Sequence, residues 1–261
     1  MTIVWHELKQ NRISFLIWTA AIGFLLAVCI FMFPEMKGQM DEMNEIFGSM
    51  GSFTEAFGMD QVSFGTLTGF YAVECGNILG LGGAFFASLS AAGILAKEEK
   101  DHTAEFLLAH PVSRFRIVTE KLAAVLIQIT ALNLVVYALA AVSIVLAGET
   151  APWRELSLLH TAYFLLQIEF AGICSGVSAF LRRGSIGIGL GMAMLMYFFH
   201  LIANISDNAD FLEYLTPFGY ADGAEIVANL TLDKTLLFTG MVIAAAGFVT
   251  AYVKFCRKDI A

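Results

Sequence analysis

Charge is scarce in this chain. Only 15% of its 261 residues are Asp, Glu, Lys or Arg, while 58% are hydrophobic and the mean hydropathy is +0.73. Soluble domains carry about a quarter charged residues, so the composition excludes an ordinary soluble fold and implies an integral membrane protein. Motifs for chemistry are also missing. Cys29, Cys75, Cys174 and Cys256 lie far apart with no CxxC spacing, which argues against a disulfide framework or a zinc site and for small apolar packing residues. Gly80, Gly82 and Gly83 do not complete GxGxxG, and no Gly-Lys pair exists to build a P-loop, so the chain has no such route to ATP. His6, His102, His110, His160 and His200 are scattered, with no HExxH or Ser/His/Asp arrangement. No catalytic residues and no metal site are expected.

What the chain has is long apolar runs. The first covers about 14–33, whose 20 residues would rise about 30 Å as a helix, the thickness of a bilayer's hydrocarbon core. With no small-residue cleavage site after it, it reads as a retained anchor and not a signal peptide. Further runs cover about 67–96, 122–147, 157–181, 185–205 and 235–255. Six spans in one transmembrane domain, 1–261, are expected, and helices are the spanning form because every backbone group must be satisfied in lipid. The second run exceeds what a bilayer needs, which predicts tilt or projection. Residues 1–13 place Ile3, Val4 and Leu8 on one side with Trp5 beside them, and Lys9 and Arg12 opposite, the pattern of a helix lying on the membrane.

Six spans starting inside leave 12 of the 15 Lys and Arg residues on the cytosolic side, with Lys37, Arg154 and Lys234 opposite. Acidic residues sort the other way, so the inside carries +5 and the outside −11, and Glu74 and Glu169 are embedded. Positive residues decide orientation, so both termini are expected in the cytosol. The net charge of −8 points away from nucleic acid.

Three spans carry GxxxG spacing, at Gly76 and Gly80, Gly172 and Gly176, and Gly187 and Gly191, which predicts close helix packing within the chain or between copies. Polar residues at depth are costly and can mark a substrate path or an interhelical hydrogen bond. The candidates are Glu74 and Asn77 on one face of the second span, Glu169 midway along the fourth, and His200 with Asn204 one turn apart in the fifth. In the first outer loop, Met36, Met40, Met43, Phe47 and Met50 recur at helical spacing. With acidic residues opposite and no Cys or His nearby, an apolar stripe resting on the spans outweighs a Cu(I) site. In the outer segment Asp207 to Asp233, the run Phe211, Leu212, Leu215 and Phe218 suggests a short amphipathic piece ended by Pro217, which breaks helices.

The densest charge lies between the second and third spans, in Lys97 to Lys121, KEEKDHTAEFLLAHPVSRFRIVTEK. Asp101 or Thr103 can cap a short helix, Glu105 suits its first turn, and Phe106, Leu107 and Leu108 give it an apolar side. His110 before Pro111 ends it after about two turns. Ser113 then caps a second helix that runs through Lys121 into the third span. A two-turn amphipathic helix held between spans suits a groove in a soluble partner; a solvated loop on the lipid surface is the alternative.

The run Glu99-x-x-x-Thr103-x-Glu105-x-Leu107-Leu108-x-x-Pro111-Val112-Ser113-Arg114-x-x-Ile117-x-x-x-Lys121 resembles the first cytosolic loop of ABC-2 type transporter permeases, with His102-Thr103 where those proteins usually have Gly-Thr. Leu215-Thr216-Pro217-Phe218-Gly219-Tyr220-Ala221-Asp222 and the tail Phe255-Cys256-Arg257-Lys258-Asp259-Ile260 are similar to the same family, over the whole six-span layout. The resemblance implies an all-α fold with an N-terminal interfacial helix, a coupling helix between the second and third spans, and short extracytoplasmic helices. It also implies a pair of permease halves, identical or paralogous, in the cytoplasmic membrane. They would work with cytosolic ATP-binding subunits that hold the ATP and Mg, usually for export. By that likeness Glu105, Leu107, Leu108, Pro111 and Arg114 would form or support the docking surface, with Glu99, Thr103 and Ser113 in the same motif. An ion-coupled carrier or channel built on Glu74, Glu169 and His200, and a membrane anchor that transports nothing, are the competing readings.

Overall fold

The computed structural model describes residues 2–39, 46, 50–59, 61–100, 112–181 and 186–258. Among them the chain is helical, with no strand. Helix α1 (Thr2–Gln10) precedes α2 (Arg12–Lys37), and the short α3 (Ser52–Ala56) follows. The second long segment is α4 (Leu67–Cys75), a π-helical stretch (Gly76–Leu81) and α5 (Gly82–Ala92). Then come α6 (Lys97–Lys100), α7 (Arg114–Leu146), α8 (Trp153–Ser178) and α9 (Ile186–Ile205). Two 3-10 turns (Asp207–Leu215 and Gly219–Ala221), α10 (Gly223–Asn229) and α11 (Lys234–Arg257) complete it.

Six of these segments are long and apolar enough to cross a membrane: Arg12–Lys37, Leu67–Ala92, Arg114–Leu146, Trp153–Ser178, Gly187–Ile205 and Lys234–Arg257. A helix long and apolar enough to cross a membrane thus lies at each of the six expected spans, with shifted ends. The second stops at Ala92, since Gly93–Ala96 form a turn, so its surplus length is no projecting helix. The third gains two turns before the apolar run, because the Ser113 side chain accepts the Arg116 N–H at 3.3 Å and starts the helix there.

Helix α8 is the hub. Of its most apolar 18 residues 61% are buried, against 28% for α2 and 22% for each of the last two spans, and it packs on α5, α7 and α11. Small residues make this possible. A Cβ at Gly172 would stand 2.6 Å from the Ala244 carbonyl oxygen, and one at Gly176 would stand 2.9 Å from that of Gly247, so α8 and α11 touch backbone to backbone. Gly76 and Gly80 open the π-helical stretch to the ring of Tyr163, itself fully buried. Two of the three GxxxG pairs thus pack within the chain, whereas Gly191 faces open space and its neighbour Gly189 lies against Ser88. Outward faces carry Phe24, Leu134, Val145 and Phe238 at 60–71% exposure or close to it, a surface that only lipid or another protein solvates well. In the segment Asp207 to Asp233, Phe211 and Leu215 are exposed while Phe218 is buried, so the expected amphipathic run is split between a 3-10 turn and the core. Met36 closes α2 and Met50 is exposed; Met40, Met43 and Phe47 lie outside the described residues.

Candidate functional site

At the end of the bundle where both terminal helices converge, charges are locked together. The apolar side of α1 (Ile3, Val4, Leu8) includes Glu7, which is 1% exposed. It meets Lys121 of α7, 0% exposed, whose Nζ donates to Glu7 Oε1 at 2.7 Å and to Glu98 Oε1 of α6 at 2.8 Å. Lys97 pairs with the other oxygen of Glu7 and donates to Gln10 Oε1 at 2.8 Å. Burial, then the neighbouring Lys121 ammonium, lowers the Lys97 pKa, and Glu7 opposes both. One helix over, Glu120 accepts the Ile3 N–H at 3.0 Å and the Val4 N–H at 3.4 Å while pairing with Arg116 at 2.8 Å. A carboxylate on the first N–H groups of α1 satisfies donors that no helix can satisfy internally.

The C-terminal end joins the same frame. Lys258 pairs with Glu99 and donates to the Leu181 carbonyl at 2.8 Å, and Arg114 donates to the carbonyls of Cys256 and Lys258 at the end of α11. Five elements are therefore bound at one end: α1, α6, α7, the end of α8 and the tail after α11. The frame grips Lys97–Lys100 and Ser113–Lys121, the two flanks of the expected coupling segment. Thr103, Glu105, Leu107, Leu108 and Pro111 lie outside the described residues. Of the other motif residues, Ser113 caps α7, and Glu99 and Arg114 engage the chain's own tail.

A second polar cluster sits at the opposite end, around Asp222. Its Oδ1 accepts the Glu225 N–H at 2.9 Å, capping α10, while its Oδ2 accepts Asn204 Nδ2 at 3.3 Å and stands 3.4 Å from His200 Nε2. Asn204 also donates to the Ala56 carbonyl at 3.2 Å, and the Tyr197 hydroxyl donates to Asn77 Oδ1 at 2.8 Å. The cavity among Asn77, Tyr163, Tyr197, His200 and Asp222 is about 30 Å³, which admits a water molecule and no organic substrate. Of the deep polar candidates, Asn77, His200 and Asn204 come together here. Glu169 does not: it is buried against Tyr220, whose hydroxyl donates at 3.1 Å, in space left by Gly240. Glu74 is also separate, with the Cys29 thiol at 3.6 Å.

Nothing in the local pattern of the sequence pairs Glu7, Lys97, Glu98, Lys121 and Lys258 with one another. A signal for two of them was present. Glu7 falls within the 3, 4, 7, 8 apolar spacing of α1, and Lys121 within the stripe Ile117, Val118, Leu122, Val125 of α7. A charge inside an apolar stripe implies a buried partner.

Six apolar helices, five of them around a tightly packed fourth, tied at one end by ion pairs and at the other by a polar cluster, define a multi-pass membrane protein. The family model for the ABC-2 family transporter protein matches residues 1–260, and the chain belongs to that family. It is the permease, the membrane component, of an ABC transporter. No curated protein matches the chain.

Proposed function

We propose that this permease works in an ATP-driven exporter, moving a hydrophobic or amphipathic substrate across the cytoplasmic membrane with energy from ATP hydrolysed on a separate cytosolic subunit. Two permease halves, copies or paralogues, pair with two such subunits. The end that gathers α1, α6 and the tail faces the cytosol, consistent with its surplus of Lys and Arg. The observation that carries the reading is the buried Lys121, which holds α1 through Glu7 and α6 through Glu98 at the exit and re-entry of residues 101–111. A push on that segment is resisted by ion pairs to both terminal helices, so it moves the ends of several spans together.

The test is transport in vesicles carrying the permease and its ATP-binding subunit. Glu105→Arg or Leu108→Asp should abolish ATP-dependent transport and stimulation of the ATPase while leaving the amount of folded protein in the membrane unchanged. Transport that persists without any ATPase and follows an ion gradient would overturn the reading in favour of a carrier. Co-purification of an ATPase without any transport would favour the anchor.

A further inference from the structure

Beside the ion-paired frame, the start of α2 and the end of α5 enclose an open groove of about 290 Å³. Its residues fix its level along the spans. Asn11 stands just before α2 and Gly93 just after α5, with Lys97 further along, while Phe86 lies six residues, about 9 Å, inside the end of α5. Phe86 and Leu89 give the groove an apolar wall at its deeper end, where Phe86 also meets the ring of Phe15 at 6.3 Å. The shallow end is polar and accessible. Lys97 keeps 19% of its side chain exposed while pairing with Glu7 and donating to Gln10 Oε1 at 2.8 Å, and an ammonium has three protons to give. Asn11, Ser14 and Ser90 are half-buried or exposed, and their side chains have no hydrogen-bond partner among the described residues. Among those residues no Asp or Glu lines the groove, and Glu7 is shut off behind Lys97 at 1% exposure.

We propose that this groove binds a phospholipid of net negative charge from the leaflet at that end, with its phosphodiester on Lys97 and the start of its acyl chains along Phe86 and Leu89. Phosphate oxygens accept hydrogen bonds, and the accessible polar side chains supply an ammonium, an amide and two hydroxyls, every one able to donate. The charge agrees, since the lining carries one cation and no acid, so a choline or ethanolamine group would meet no carboxylate. Burial and the neighbouring Lys121 ammonium both work against the charge on Lys97, and an anion in the groove opposes both. The depth agrees as well. The polar groups lie where the two spans end, at the height of the headgroups, and the aromatic wall lies about 9 Å deeper, in the acyl region.

The experiment titrates the full chain, in maltoside detergent, with phosphatidylglycerol or phosphatidylcholine, counting retained lipid by native mass spectrometry and following Tm. Phosphatidylglycerol should be retained and raise Tm, and phosphatidylcholine should need about tenfold more to do the same. Lys97→Met should weaken phosphatidylglycerol binding about tenfold, the loss of one charge-assisted contact. Because Lys97 also serves Glu7, this variant can lower Tm by itself. The decisive reading is therefore the increment that phosphatidylglycerol adds, which a merely structural lysine leaves intact. Gly93→Leu is the second variant: nothing stands within 4 Å of a Cβ there, so the new side chain enters the groove without touching the ion pairs, and it should abolish the increment. Inorganic phosphate should not compete, because it has no acyl chain for the apolar wall. Equal retention of phosphatidylcholine, competition by inorganic phosphate, or an undiminished increment in either variant would each overturn the proposal. So would pairing of two copies that Gly93→Leu disrupts.

Discussion

Lys121 and Glu7, 114 positions apart, meet at 2.7 Å with both side chains shut off from solvent. Two charges removed from water are tolerable together and costly apart. Lys121→Met should therefore destabilise the protein by about 3 kcal/mol, the low end for a broken buried pair, since it takes one cation from Glu98 and one of two from Glu7, which keeps Lys97. Glu7→Leu combined with Lys121→Met should lose clearly less than the sum of the single changes. A double-mutant cycle read by denaturant unfolding in detergent checks this, and strict additivity would show that the pair is not coupled.

Helix α8 meets the backbone of α11 where Gly172 and Gly176 have no side chain. Gly172→Ala would press a methyl onto the Ala244 backbone and should cost about 1–3 kcal/mol, visible as a lower Tm. Gly191→Ala is the control. Nothing stands within 4 Å of a Cβ there, so it should be neutral or stabilise the helix by up to about 1 kcal/mol. Equal effects at the two positions would contradict the packing described.

Asp222 performs two tasks, capping α10 and receiving Asn204. Asp222→Asn keeps an oxygen for the cap, whereas Asp222→Ala removes it at a cost of about 1 kcal/mol. Hydrogen exchange of the Gly223–Asn229 amides should rise strongly in the alanine variant and little in the asparagine one. Identical profiles would mean that the cap contributes nothing.

Glu213 and Glu225 lie outside the spans in an acidic surrounding. Burial raises both pKa values, helped at Glu213 by Glu225, Asp210, Asp222 and Asp233 and at Glu225 by Asp222 and Asp233. A carboxyl whose folded pKa exceeds its unfolded value binds more protons when folded, so stability falls as pH rises from the unfolded value of 4.5 through the folded one. Acidification from pH of about 7 to about 5 should slow exchange across Asp207–Asn229 after correction for the intrinsic rate. The Glu213→Gln, Glu225→Gln double variant should lose most of that response. A response undiminished in the double variant would assign it elsewhere.

The membrane class and the six spans were legible because each depends on local composition: a run of about 20 apolar residues crosses a bilayer whatever surrounds it. The start of α7 was legible as well, since a Ser cap acts on an N–H only three residues on. The end of the second span was not, because Gly93–Ala96 are as apolar as a helix and only their geometry makes them a turn. Glu99 and Arg114 read as surface for a partner, yet their side chains reach the chain's own tail, a contact across more than 140 positions.

By itself the sequence determined the class, the helical form and the imbalance of charge between the two ends, all set by transfer free energies that act residue by residue. Only the tertiary structure decided which charges are partners, which glycines face a backbone and which polar atoms stay unmatched. These depend on pairs of groups far apart in the chain, and the cost of burying one is set by whether the fold brings the other within about 3 Å.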